Sequence, residues 1–304
     1  MSLSGQHAVA PRRAGLVEAC VVAGIFAVGV AIGIATMEAY RAGGGRPQFY
    51  QGNFGPAVMM ACGYGFTLPG PVTAPKSVQD FLLLERNDFD CRDFPSNTVA
   101  EKVTWNGTWY YLYGTVALIW RVTGVSWRVL DWLSAVFVGI SLAGLYSLFR
   151  LVSGRVASIA IALVLTLLPV NMVQIPALRD FSKVPFALVS LYLLARLVIK
   201  STTTGKTVAL SALFGAVVGF GYGFRTDLAI MAPFGFVVIG TLLRGSWREC
   251  WQRNVASVAA AVVSFAIVAT PPLRGLETGG CQFHYSLLGL TDPMTEALQV
   301  RGSI

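Results

Sequence analysis

Seven apolar stretches recur along this chain, most of them near the ~20 residues that a helix needs to cross the hydrocarbon of a bilayer. They cover residues 15–37, 129–149, 157–168, 184–199, 207–222, 228–243 and 255–270. Composition agrees: 55% of residues are hydrophobic, 12% are charged and the mean hydropathy is +0.63. Backbone polar groups in lipid must be satisfied internally, and single apolar stretches of this length do so as helices. The expectation is an all-α integral membrane protein of about seven transmembrane helices, one polytopic domain over residues 1–304. The first stretch follows Arg12 and Arg13 as a secretion signal would, but its apolar run exceeds the core of such a signal, so it reads as an uncleaved anchor.

Lysine and arginine resist translocation, and their positions set the orientation. Arg12 and Arg13, then Arg150 and Arg155, then Arg196, Lys200 and Lys206, then Arg244, Arg248 and Arg253 fall on one side, which reads as cytoplasmic and carries the N-terminus. The outer side receives residues 40–128, the connection near 175–183, the turn at 225–227 and the tail at 271–304. Of the 15 acidic residues, all but Glu18 and Glu249 lie on or near that outer side. The net charge of +8 is therefore a record of topology: its cations sit in short clusters between apolar stretches, and the expected partner is the lipid bilayer, with no nucleic acid. With no eukaryotic targeting signal in the sequence, a bacterial inner membrane is the expected location.

One segment tests this topology. "GTWYYLYGTVALIWRVTG", residues 107–124, is apolar enough to cross, yet a crossing would invert every later connection. It reads instead as an amphipathic helix lying flat in a long outer loop, with Trp105, Trp109, Tyr110, Tyr111, Tyr113 and Trp120 at headgroup level. The tail leaves two readings open, a folded outer loop or the front part of a longer protein.

Motifs of soluble enzymes are missing: there is no P-loop, no G-x-G-x-x-G and no H-E-x-x-H. With only His7 and His284, a histidine metal site or a Ser-His-Asp triad is excluded as an expectation. Cys62 and Cys91 share the long outer loop and are either bridged or free thiols. Asn106, Gly107 and Thr108 match a glycosylation acceptor, which matters only in a eukaryotic secretory host.

Polar chemistry gathers on the outer side. In "ERNDFDCRDF", residues 85–94, Asp88 and Asp90 are one residue apart. They read as a solvated turn, as a general base for an acceptor hydroxyl, or as a pair holding a divalent cation. Glu38, at the outer end of the first stretch, is a second candidate base. In "GAVVGFGYGFRTDLA", residues 215–229, Gly215, Gly219 and Gly223 form a small-residue stripe suited to close helix approach, followed by Arg225 and Asp227. "IPALRDFSKVPFAL", residues 175–188, adds Arg179, Asp180 and Lys183, and the tail adds Arg274 and His284. These cations can hold a phosphate or pyrophosphate without a metal, since an arginine fork offers paired donors and stays charged when partly desolvated. The plain alternative is a set of interfacial anchors.

The order of these parts resembles a family. An apolar first helix, a long outer loop ending in an aromatic helix, the run from Tyr111 to Pro169, "LRDFSKVPFALVSLYLLARL" and "GAVVGFGYGFRTDLAIMAPFGF" are similar to the module of the GT-C membrane glycosyltransferases, in the branch of the protein mannosyltransferases and the bacterial transferases that decorate lipid A. The resemblance implies transfer of a sugar, with inversion, from a polyprenyl-phosphate donor to a lipid, glycan or protein acceptor on the outer face. It also implies an acidic base soon after the first helix. Here "RAGGGRPQFYQGNFGPAVMMACGYGF" has no acid, so that role would fall to Glu38, Asp80, Asp88 or Asp90, or the base is missing. Asp180 stands where relatives also carry aspartate. The rival readings are a non-catalytic or truncated membrane subunit and a transporter or flippase-like carrier.

Overall fold

The computed structural model describes residues 10–46, 51–70, 74–95, 98–103, 107–200, 203–243 and 247–275. Its first helix, α1 (Ala10–Ala42), is followed by a compact segment on the side that the lysine and arginine distribution predicts to be outer: α2 (Gly55–Ala61), β1 (Thr67–Pro69), α3 (Lys76–Leu82), β2 (Asp88–Phe89), β3 (Ala100–Lys102), α4 (Tyr110–Thr123) and β4 (Val125–Ser126). The rest is helical: α5 (Val129–Phe149), α6 (Arg155–Leu167), α7 (Pro169–Met172), α8 (Leu178–Phe181), α9 (Lys183–Ile199), α10 (Thr204–Tyr222), α11 (Met231–Thr241) and α12 (Trp247–Arg274). The chain is an integral membrane protein, and among the described residues five segments are long and apolar enough to cross a bilayer: Gly15–Ala42, Val129–Phe149, Leu178–Ile199, Thr204–Tyr222 and Cys250–Arg274. The two remaining apolar segments, Arg155–Leu167 and Thr226–Thr241, are shorter than a standard span.

Packing shows which way these two run in the bundle. In α10 and α12, Gly215 lies against Ala261 and Gly219 against Phe265 and Val268, so the two helices run parallel. A parallel pair in sequence needs a return leg, and α11 supplies it, with Gly235 against Phe214 and the Asn254 side-chain amide donating to the Gly240 carbonyl at 3.3 Å. The pair α5 and α9 is also parallel, with Phe137 near Phe186 and Gly144 against Leu188, so α6 with α7 forms the return leg there. By contrast α1 and α5 are antiparallel: Gly29 meets Gly139 and Gly33 meets Ala135 with backbone nearly touching.

Both ends of the α1/α5 pair are pinned by charge. At one end Glu18 accepts from Tyr146, from Arg150 at 3.2 Å and from Arg155 at 2.9 Å. At the other end the Arg41 fork grips Asp131 through two bonds of 2.6 and 2.9 Å.

The outer segment has its own aromatic core, continuous with the outer ends of the helices: Phe54, Phe81, Trp120 and Trp127 pack with Met37, Leu133, Phe137, Ile175, Leu178, Phe181 and Phe224. The indoles are buried with their N–H groups met, Trp127 donating to the Phe81 carbonyl at 2.8 Å and Trp120 to the Ser126 carbonyl at 2.9 Å. A disulfide joins Cys62 to Cys91, and two short antiparallel ladders, β1 with β3 and β2 with β4, tie the loops.

This core corrects one expectation. Helix α4, 14 residues long, stays at one end of the bundle: its first amides are held by the Gly223 carbonyl at the end of α10, and β4 then leads into α5 where Asp131 meets Arg41. Its aromatic residues, however, are turned into the protein rather than to headgroup level: Tyr113 and Trp120 are fully buried, and Trp109, Tyr110 and Tyr111 are half-buried. What the helix leaves exposed is Leu118, Arg121 and Val122. Trp105 lies outside the described residues. The rings are better used filling a core between loops that have little other apolar mass than standing in an interface.

Candidate functional site

At the mouth of the bundle beside this segment of short elements two connections meet. One is α8 with the start of α9; the other is the turn between α10 and α11. In α8, Leu178 and Phe181 are buried anchors, which turns the intervening Arg179 and Asp180 toward the second connection. Ser182, fully buried, breaks the helix by donating its hydroxyl to the Arg179 carbonyl at 2.9 Å. Pro185 falls in the first turn of α9, where a missing N–H costs nothing because that turn has no partners to donate to.

Five of the seven residues expected to bind substrate come together here. Arg225 is bonded to Asp180 through Nη1 and lies 3.5 Å through Nε from Asp227 Oδ1. Lys183 Nζ donates to Asp227 Oδ2 at 2.6 Å. Arg179 Nε is 3.5 Å from Asp180 Oδ1, and its guanidinium lies over the Trp109 ring, 4.9 Å from the centroid. The arginines are about one-fifth exposed, whereas Lys183 and Asp227 are more open, at 37% and 43%. Among the described residues, three cations of this cluster are thus faced by two carboxylates.

The other expected residues stand apart. Arg274 is exposed at the end of α12 with no ion pair among the described residues, while its neighbour Gly275 packs directly on Gly107, two residues before Trp109. His284 lies outside the described residues. Glu38 is exposed on α1 and shares a groove of about 370 Å³ with Arg41, Arg128, Asp131 and Trp132. Asp88 is exposed on β2 and lines a second cavity, about 510 Å³, with Arg86, Asp90 and Arg121.

Asp90 has a local task. It caps the turn Cys91–Asp93 by accepting from the Arg92 N–H at 2.9 Å, and it also holds the Arg92 guanidinium. That guanidinium, with the N–H bond, keeps its carboxyl below the usual carboxylate range. Asp80 is paired with Lys76 one helical turn away, at 3.0 Å. Among the described residues no three His, Cys, Asp or Glu side chains gather as metal ligands. The carboxylates of Asp180, Asp227 and Asp90 each face a cation.

Two contributors to the site were not assigned there from sequence. Trp109 carries Arg179 on its face, and the N–H groups of Tyr111 and Leu112 hold the Gly223 carbonyl just before Arg225, each at 3.1 Å. The only signal was the aromatic run "GTWYYLY", which composition alone sends to the membrane interface.

The dolichyl-phosphate-mannose-protein mannosyltransferase family model matches residues 110–273, over half of the chain. That stretch starts with α4 and holds all five clustered residues, but neither Glu38 nor Asp88 and Asp90. No curated protein and no solved structure matches the chain. A polytopic helical bundle with a charged outer mouth, matched across α4 to α12, is the framework of a membrane glycosyltransferase, and this chain belongs to the dolichyl-phosphate-mannose-protein mannosyltransferase family, within the GT-C superfamily.

Proposed function

We propose that the chain transfers a sugar from a polyprenyl-phosphate donor to an acceptor on the outer face of the membrane, with the donor phosphate held by Arg225, Lys183 and Arg179. The observation that carries this reading is the convergence of Arg179, Lys183 and Arg225, from two separate connections, at one mouth of the bundle. A sugar-linked polyprenyl phosphate is a diester with one negative charge, and the polyprenyl phosphate that leaves gains a second. Asp180 and Asp227 keep the three cations in register while no donor is bound, and the lost ion pairs are replaced by charge-assisted bonds to phosphate oxygens. As the sugar–oxygen bond breaks, charge grows on the phosphate, and pre-aimed cations stabilise it without reorganising.

The base is Glu38 or Asp88, which unlike Asp90 and Asp80 are in no ion pair among the described residues. Glu38 is favoured because it follows Met37, whose side chain shares the core beneath the cluster with Leu178 and Phe181. The disulfide Cys62–Cys91 supports an oxidising outer compartment. A periplasm beyond a bacterial inner membrane, with a cytoplasmic N-terminus, fits that requirement and the lysine and arginine distribution.

The test is transfer from a polyprenyl-linked sugar by membranes holding each variant at matched amounts. Arg225→Ala and Lys183→Ala are expected to lower turnover by about 10²- to 10³-fold, the usual loss when one charge-stabilising donor is removed. Glu38→Gln against Asp88→Asn then separates the two bases. Wild-type transfer by both cation variants overturns the phosphate site.

A further inference from the structure

Pro272 has no N–H, so the Val268 carbonyl, four residues earlier in α12, loses its helical partner. Tyr111 replaces it: its hydroxyl donates to the Val268 oxygen at 2.6 Å. The bond reaches across 157 residues of sequence. The first amides of α4 likewise lack partners inside their own helix. Those of Tyr111 and Leu112 both donate to the Gly223 carbonyl, so the start of α4 and the end of α10 satisfy each other. The Tyr111 ring lies 4.6 Å from that of Phe220 and covers Gly223, where a Cβ would come within 2.3 Å of Tyr111 Cδ2. Burial pushes the phenol above its ordinary value, so it remains a donor at neutral pH.

No slack separates this contact from Arg225. The N–H groups of Phe224 and Arg225 both donate to the Gly221 carbonyl at 2.9 Å. The Phe224 ring is wedged among Phe137, Phe186 and Phe220. On the other side, Trp109, two residues before Tyr111, carries Arg179.

We propose that Tyr111 is a positioning residue for the phosphate site, a strap that fixes the Arg225 turn to the proline end of α12. The proposal rests on the donor reading given above. Moving Tyr111 shifts the Gly223 carbonyl and, with it, the cation two residues on.

The experiment measures the Kd of polyprenyl phosphate for the purified full chain, so no turnover is needed. Tyr111→Phe keeps the ring and removes only the hydroxyl, and is expected to raise Kd about five- to ten-fold, the scale of one lost hydrogen bond. Gly223→Ala displaces the ring from the other side and is expected to give a similar rise. In an Arg225→Ala background neither substitution should raise Kd further, because coupled residues are not additive; a purely structural role would not produce that silence. Unchanged Kd in both single variants, or a full further rise on top of Arg225→Ala, overturns the strap. A wild-type Kd for Arg225→Ala overturns the phosphate site itself, and the strap with it.

Discussion

Asp180 and Asp90 look alike in sequence, each within two residues of an arginine, yet they do different things. Asp90 is a surface cap whose bonds all lie within two residues of it. Asp180 is 30% exposed and joins Arg225, 45 residues away, while lying beside Arg179. Removing one partner of a half-buried pair leaves the other charge unmet, which costs about 1–3 kcal/mol. Asp180→Asn is therefore expected to lower the apparent Tm of the purified protein by several degrees. Asp90→Asn is expected to leave it in place, since asparagine caps as well as aspartate and an exposed pair adds little. Equal shifts in thermal unfolding would show that the two aspartates are equivalent. The charges themselves were legible from sequence, because a lipid-soluble chain keeps few without cause. Their mutual pairing was not, because the partners come from connections separated by a whole helix.

Among the elements, α10 shows how far a sequence pattern reaches. Gly215, Gly219 and Gly223 are one turn apart and predict a close helix approach. Two of them make it: a Cβ on Gly215 would stand 2.0 Å from the Ala261 carbonyl, and one on Gly219 would stand 2.9 Å from that of Phe265. Gly223 instead makes room for Tyr111 of α4, a use that spacing cannot distinguish. Gly215→Ala must push α12 away and is expected to cost about 1–3 kcal/mol as overpacking. Gly205, in the first turn of the same helix, faces open space. There alanine only reduces unfolded-state freedom, and Gly205→Ala is expected to be neutral or to add up to about 1 kcal/mol. Thermal unfolding of the two variants side by side checks the contrast, and equal effects would rule out a tight α10–α12 seam. Helix α4 shows the limit of composition. Its length and its failure to cross were legible, but burial of Tyr113 and Trp120 depends on rings supplied by Phe54, Phe81 and Trp127 from elsewhere in the loop.

For the whole molecule, the parallel pairs α5/α9 and α10/α12 decide the path, because each demands that a short helix bring the chain back. Helix α6 has 13 residues, about 20 Å of rise, and with the turn of α7 it must cover what a longer helix covers elsewhere. A thinned bilayer or the buried surroundings of the outer mouth can make up such a shortfall at modest cost. The consequence is testable in cells, with Cys20, Cys250 and Cys281 replaced by serine and the disulfide left intact. A membrane-impermeant maleimide is expected to label Glu101→Cys, on exposed β3, from outside, and Lys206→Cys, at the start of α10, only after permeabilisation. The deciding site is Val173→Cys, 73% exposed just after α7. Labelling from outside shows that the 13-residue helix carries the chain across, and puts Arg179, Asp180 and Lys183 on the face that holds the disulfide. Labelling only after permeabilisation would leave α6 on the cytoplasmic side, separate Asp180 from the outer segment, and overturn both the seven-pass path and an outward-facing phosphate site.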